Sequence, residues 1–299
     1  MIEAPPLPLA TPVLVARPSP RFAPPLERHL HYLTTESFPQ SAAAITTRQT
    51  LRFVQRSGGY LAGLTTTGVE ATGRPETKAG MELLRRSLIG VEIRLEIDRQ
   101  GTPGALVDTA ASLAAFRAGH AALARKIASS PQIPAEAVAL SRRALAREME
   151  AAIGYERLKA AVATLLPPPL PQLKPGTTTA FVSTIATPGG PLPASGTVTL
   201  VRAGTAAFDY RIQLHGMSGG GSAAAARLRA TLPANASVAD RARVEKAAAT
   251  LAGTGFAETS ELNVARETGL LLGLQSTLTT RAAGDVGRVV AVRSVRLIH

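Results

Sequence analysis

The most regular stretch of the chain is Val91 to Ile97 (VEIRLEI). Val91, Ile93, Leu95 and Ile97 take one face, and Glu92, Arg94 and Glu96 the other. Period-two alternation of this kind predicts a half-buried strand. The turn Asp98-Arg99-Gln100-Gly101 leads from it into Ala105 to Val107, a predicted hairpin. Upstream, His29 to Thr35 alternates around Tyr32 and Leu33. Ile45 to Gln55 and Tyr60 to Ala71 are rich in Thr, Leu, Phe and Val, and flank Ser57-Gly58-Gly59. Two such runs about a Gly-Gly turn predict another hairpin. Met81, Leu84 and Leu88 share one face of a short predicted helix, Thr77 to Leu88, stopped by Gly90.

From Asp108 the period changes. Leu113, Phe116, His120, Leu123 and Ile127 recur at spacings of three and four, one helical stripe. Asp108 is placed to cap it. Pro131 and Pro134 break the chain. Pro134 then suits the first turn of a second helix, with Glu136 beside it and Val138, Leu145, Met149 and Ile153 along it. Leu158, Val162 and Leu165 continue the pattern until Pro167-Pro168-Pro169 and Pro171 stop it. Strand-like runs return at Thr177 to Thr187, Gly196 to Arg202 and Ala206 to Leu214. A Gly-rich loop follows, Gly216 to Gly221. Ser237 and Asp240 resemble a capping box, opening a helix to about Leu251 that ends at Gly253. Phe256 to Ala265, Leu270 to Thr280 and Arg288 to Ile298 form a three-stranded meander.

These elements predict an α+β protein with two antiparallel β units, each a curved sheet or half-barrel, and a helical segment between them. The divisions are a Pro-rich extended lead-in over 1–25, a first β unit over 26–107, the helical segment over 108–166, a Pro-rich linker over 167–176 and a second β unit over 177–299.

Composition narrows this reading. The chain is 45% hydrophobic but only 4% aromatic, without Trp, so its core is built from Ala, Leu, Val and Ile. The net charge is +12, supplied mostly by Arg. Pairs such as Arg85/Arg86, Arg142/Arg143, Arg241/Arg243 and Arg293/Arg296 are scattered, with no basic block, and stacking aromatics are few; specific nucleic-acid binding is not expected. Absence of cysteine excludes disulfides, thiolate metal sites and Cys nucleophiles. No apolar run reaches the length of a membrane span. The lead-in lacks the basic and apolar regions of a signal peptide, although such a stretch could follow a removed one.

The sharpest motif is Gly216-Met217-Ser218-Gly219-Gly220, a match to G-x-S-x-G. In serine hydrolases that sharp turn lifts the hydroxyl towards a His and an oxyanion hole. Here a strand-like FDYRIQL precedes it and Ala223 to Leu228 follows, but the only later His is the last residue, His299. His29 and His31 share a strand face without a carboxylate partner. His120 lies in an apolar stripe, and Glu92 and Glu96 flank Arg94 on a polar face, a pattern of solvated charge rather than acid–base chemistry. No catalytic, cofactor-binding or metal-ligating residue and no cofactor is assigned.

The run VEIRLEIDRQGTPGALVD before a helix, and ETSELNVARETGLLLGLQSTLTT near the end, resemble uncharacterised proteobacterial envelope proteins and, more distantly, the periplasmic lipoprotein-carrier half-barrels. The resemblance implies a curved antiparallel sheet with helices against its concave face and an apolar cavity; the helical middle is longer than that pattern requires. The expectation is therefore a non-enzymatic periplasmic or cell-envelope protein that binds a lipid, another apolar ligand or an envelope protein. A serine hydrolase using Ser218 and a basic scaffold for anionic lipid or polysaccharide are the alternatives.

Overall fold

The structure, a computed structural model, describes residues 20–131, 133, 135–187, 190–216, 220–229, 232, 238–282 and 287–298. Strands β1 (Leu30–Phe38), β2 (Ala43–Arg56) and β3 (Gly59–Thr72) are followed by α1 (Pro75–Arg86), β4 (Glu92–Asp98) and β5 (Pro103–Val107). Three helices follow, α2 (Thr109–Ala128), α3 (Ala135–Glu148) and α4 (Ala151–Ala163). The chain then forms β6 (Thr178–Thr187), β7 (Gly190–Ala203), β8 (Ala207–Gly216), α5 (Gly220–Arg229), α6 (Val238–Ala252), β9 (Thr254–Ala265), β10 (Leu271–Ala282) and β11 (Arg288–Ile298).

All eleven strands belong to one sheet, in the order β5-β4-β3-β2-β1-β11-β10-β9-β8-β7-β6, with every neighbouring pair antiparallel. The expectation of two β units with helices between them is therefore corrected. β1 pairs with β11 from His31↔Ile298 to Ser37↔Val292, which fuses the two halves at their centre. Separate five- and six-stranded sheets would each present an extra edge of unpaired backbone groups there; fusion removes both. The helical middle runs in sequence between β5 and β6, which are the opposite ends of the sheet rather than the facing borders of two units. The sheet is open, since β5 and β6 do not pair with each other.

One face of the sheet is apolar. Leu51, Phe53, Leu64, Leu95, Ile185, Val198, Leu200 and Val264 are fully buried and belong to a single cluster that spans the sheet. In β4 the inward residues are Ile93, Leu95 and Ile97, as the alternation requires. α1 sets Met81 on Ile45, Val69 and Ala71. α2 and α4 pack at β4 and contribute Phe116, Leu158 and Val162 to the main cluster. The segment 165–173 continues into it, with Leu165, Leu166 and Leu173 buried and Leu170 packed alongside. Phe22 is also buried, edge-on to Phe53 and Tyr60 at 5.8 and 5.5 Å. α5 touches β7 and β9, and α5 and α6 pack on each other.

Asp108 does not cap α2. It adopts a left-handed conformation (φ 52°), and its carboxylate accepts a hydrogen bond from Arg94 at 3.3 Å. The sequence signal for a cap is a residue type, and here a neighbouring guanidinium competes for the same oxygen.

Candidate functional site

Strand register defines which side chains share a row. One inner row runs Thr47–Thr34–Val295–Leu274–Leu262–Tyr210–Leu200 across β2, β1, β11, β10, β9, β8 and β7. Its neighbour runs Ile45–Glu36–Arg293–Ser276–Ser260–Ile212–Val198 over the same strands. The second row thus carries a charged and polar island at the middle of a largely apolar face.

Glu36 is the centre of that island. Its carboxylate accepts a bond from Arg85 Nη2 at 2.9 Å and from Arg293 Nε at 3.0 Å, and its side chain is 18% exposed. Burial pushes the carboxyl upwards, but the charges and hydrogen bonds of Arg85 and Arg293 outweigh burial and hold it below its ordinary value. The group therefore stays ionised, and two cations against one anion leave the cluster with an excess positive charge. Beside it Ser276 and Ser260 are buried, and Ser260 Oγ donates to Glu258 at 3.0 Å.

Two tyrosines lie on the same inner face in opposite states. Tyr32 is fully buried, and its hydroxyl donates to the Leu271 carbonyl oxygen at 3.1 Å. Tyr210 is 1% exposed, and among the described residues its hydroxyl has no hydrogen-bond partner. Burial pushes the Tyr210 hydroxyl up to about 12. Its surroundings are Phe208, at 6.4 Å between ring centroids, and the paired Leu262 and Leu200. A buried hydroxyl normally finds a partner, so this one is informative.

The outer face is polar. A groove of about 660 Å³ crosses β1 and β7 to β11. In it Arg211 pairs with Glu261 at 3.1 Å, while Asp209 accepts from Asn263 at 2.5 Å and from Arg202 at 2.6 Å. Gln275, Ser294 and Arg296 complete its centre, and Arg296 has no ion-pair partner among the described residues.

The residues singled out by sequence lie elsewhere. Ser218, with Met217 and Gly219, lies outside the described residues, as do His299, Ser237 and Pro134; β8 ends at Gly216 and α5 begins at Gly220 on either side of the motif. His29 and His31 are exposed, and His31 Nδ1 lies 3.3 Å from Thr50 Oγ1. Among the described residues no three His, Asp or Glu side chains gather as a metal site. His120 is buried, its Nδ1 3.0 Å from the Phe116 carbonyl oxygen and its ring tilted 40° to that of Phe116 at 4.2 Å between centroids. Glu92 is held by Arg94 at 2.6 Å on the outer face. Sequence reasoning missed Glu36 and Arg293, although their phase was readable. Glu36 follows Tyr32 and Thr34 by steps of two, and Arg293 precedes Val295 and Leu297, so both charges stand on an apolar face.

No protein-family model and no curated protein matches the chain. Among solved structures, one of lipovitellin, which concerns its lipid–protein interactions, is similar at a TM-score of 0.39 and 10% identity, over 91% of this chain and 24% of that one. This chain therefore spans about a quarter of the length of that relative. A porin-like protein from Bacteroides uniformis ATCC 8492 is similar at a TM-score of 0.19 and 8% identity, over 93% and 99% of the two chains. At these scores neither likeness transfers a fold or an activity.

Proposed function

We propose that this is a non-enzymatic binding protein that holds an apolar ligand carrying a hydrogen-bonding group against the inner face of the sheet. The observation that carries the reading is the Tyr210 hydroxyl, buried in an apolar row with no partner among the described residues. A ligand carbonyl or hydroxyl there would satisfy it, and the neighbouring Leu200, Leu262 and Val295 match a hydrocarbon body. The Glu36–Arg85–Arg293 island offers a second polar anchor on the same face. An envelope location belongs to the same proposal and rests on the sequence resemblance.

Native mass spectrometry of the purified protein, followed by organic extraction, tests this. A co-purifying apolar molecule, displaced by a fluorescent fatty acid and bound more weakly by Tyr210→Phe, is the expected result. A protein that carries no such molecule and binds no apolar probe overturns it. The outer groove supports a second reading, a scaffold for an anionic lipid or polysaccharide, because Arg296 stands in it without an ion-pair partner among the described residues. Binding to anionic vesicles or polyuronate that is insensitive to salt and to Arg296→Ala would exclude that reading.

A further inference from the structure

The two ends of the sheet are finished differently. β5 is five residues long, begins with Pro103 and is irregular in register against β4. Its Leu106 N–H donates to the hydroxyl of Tyr155 on α4 at 2.9 Å, so a helix covers that edge. Short length, proline and a covering helix are common devices against edge-to-edge pairing.

Among the described residues β6 has none of them. It is ten residues long, TTAFVSTIAT, with no charge, no proline and no glycine. It pairs with β7 along its whole length, from Thr178↔Thr199 to Thr187↔Gly190. Among the described residues its other side meets no further strand. Apolar surface is left uncovered on both faces of this edge. Phe181 points to the inner face and is only partly buried against the core, and Val182 on the outer face is 69% exposed.

We infer that β6 is a self-association edge, on which a second copy of this chain pairs its own β6 antiparallel about a two-fold axis. The occupant follows from the chemistry of the edge. A neighbouring strand covers Phe181 and Val182 together only if it alternates apolar residues to both faces, as β6 itself does. Self-pairing also sets Thr, Ala, Val and Ser against one another. In a chain of net charge +12, an uncharged ten-residue strand is a place where two copies meet without like charges opposed. The product is one continuous sheet running through both protomers.

Sedimentation equilibrium between about 1 and 100 µM is expected to show a monomer–dimer equilibrium. The double variant Ala180→Lys with Val182→Lys places charge at two exposed outer-face positions, and is expected to be monomeric with an unchanged circular-dichroism melt. Because the chain lacks cysteine, single substitutions Thr178→Cys, Ala180→Cys, Val182→Cys and Thr184→Cys give a clean register test. Antiparallel two-fold pairing requires disulfides between positions whose numbers share one constant sum, so at most the position at the axis cross-links efficiently with itself. A monomer at all concentrations overturns the inference. So does a dimer that survives the lysine pair, or cross-linking that follows no constant sum.

Discussion

Replacing Tyr210 by Phe removes one oxygen and leaves the ring. The ring keeps its contacts with Phe208 and the paired Leu262 and Leu200, so no cavity of consequence opens. What changes is a buried hydroxyl that has no partner among the described residues, a burden of roughly 1–3 kcal/mol. The ligand-free Tyr210→Phe protein is therefore expected to be more stable than wild type by about 1–2 kcal/mol. Tyr32→Phe is the internal control. Its hydroxyl is bonded to the Leu271 carbonyl, and removal is expected to destabilise by about 1–2 kcal/mol because a buried acceptor loses its donor. Urea unfolding of extracted protein, followed by far-ultraviolet circular dichroism, measures both signs. With an apolar ligand bound, the advantage of Tyr210→Phe shrinks, because the wild-type hydroxyl then gains a partner. The lost hydrogen bond weakens affinity by roughly 2- to 10-fold, from a net bond strength of about 0.5–1.5 kcal/mol. A Tyr210→Phe protein destabilised like Tyr32→Phe, with or without ligand, refutes the reasoning, since the hydroxyl would then have a partner within the chain.

Glu36 gives a pH signature. Its carboxyl is held below the ordinary value, so the stability it contributes is complete above the unfolded value, about 4.3, and is lost as pH falls through the folded value. Glu36→Gln is expected to cost about 1–3 kcal/mol at pH 7, discounted because Arg85 and Arg293 are partly exposed, and to flatten the acid limb of the stability profile; equal slopes for both proteins would contradict it. Gly196→Ala would place a methyl 1.8 Å from the Gln213 carbonyl oxygen on the paired strand, and a loss of at least about 2 kcal/mol or failure to fold is expected by thermal melting. Tyr155→Phe frees the Leu106 N–H at the covered edge and is expected to cost about 1 kcal/mol and to speed amide exchange at Leu106, read by hydrogen-exchange spectroscopy.

The local elements were legible because period and turn chemistry act over a few residues. The hairpin about Ser57-Gly58 appears as β2 and β3, the alternation of VEIRLEI as β4, and the closing meander as β9 to β11. The partner of β1 was not legible. His31 and Ile298 meet because each half of the sheet ends in an unpaired strand at that point, and nothing in either segment's own pattern names the other. That one missing pairing turned a single sheet into two predicted units. The polar island was half legible. Glu36 and Arg293 stand in the inward phase of their strands, but a charge in a loosely alternating run reads as noise until the opposite charge is known to lie beside it. Tyr210 left no trace in the sequence, because whether a buried hydroxyl finds a partner is decided by the whole neighbourhood. The outer groove likewise depends on register across six strands.

The pairing of β1 with β11 has a consequence for the nascent chain. Arg293, which closes on Glu36 in that pairing, is 257 positions further along. At synthesis rates of about 5–20 residues per second, β1 waits roughly 13–50 seconds with one side unmatched until β11 is made. Throughout that interval its free side can recruit a wrong strand. The companion β2–β3 hairpin and the early helix α1 can form locally in the meantime and hold the first half ready. Completion of the sheet then waits for β11, and any pause or truncation before it leaves two half-sheets with their inner edges bare.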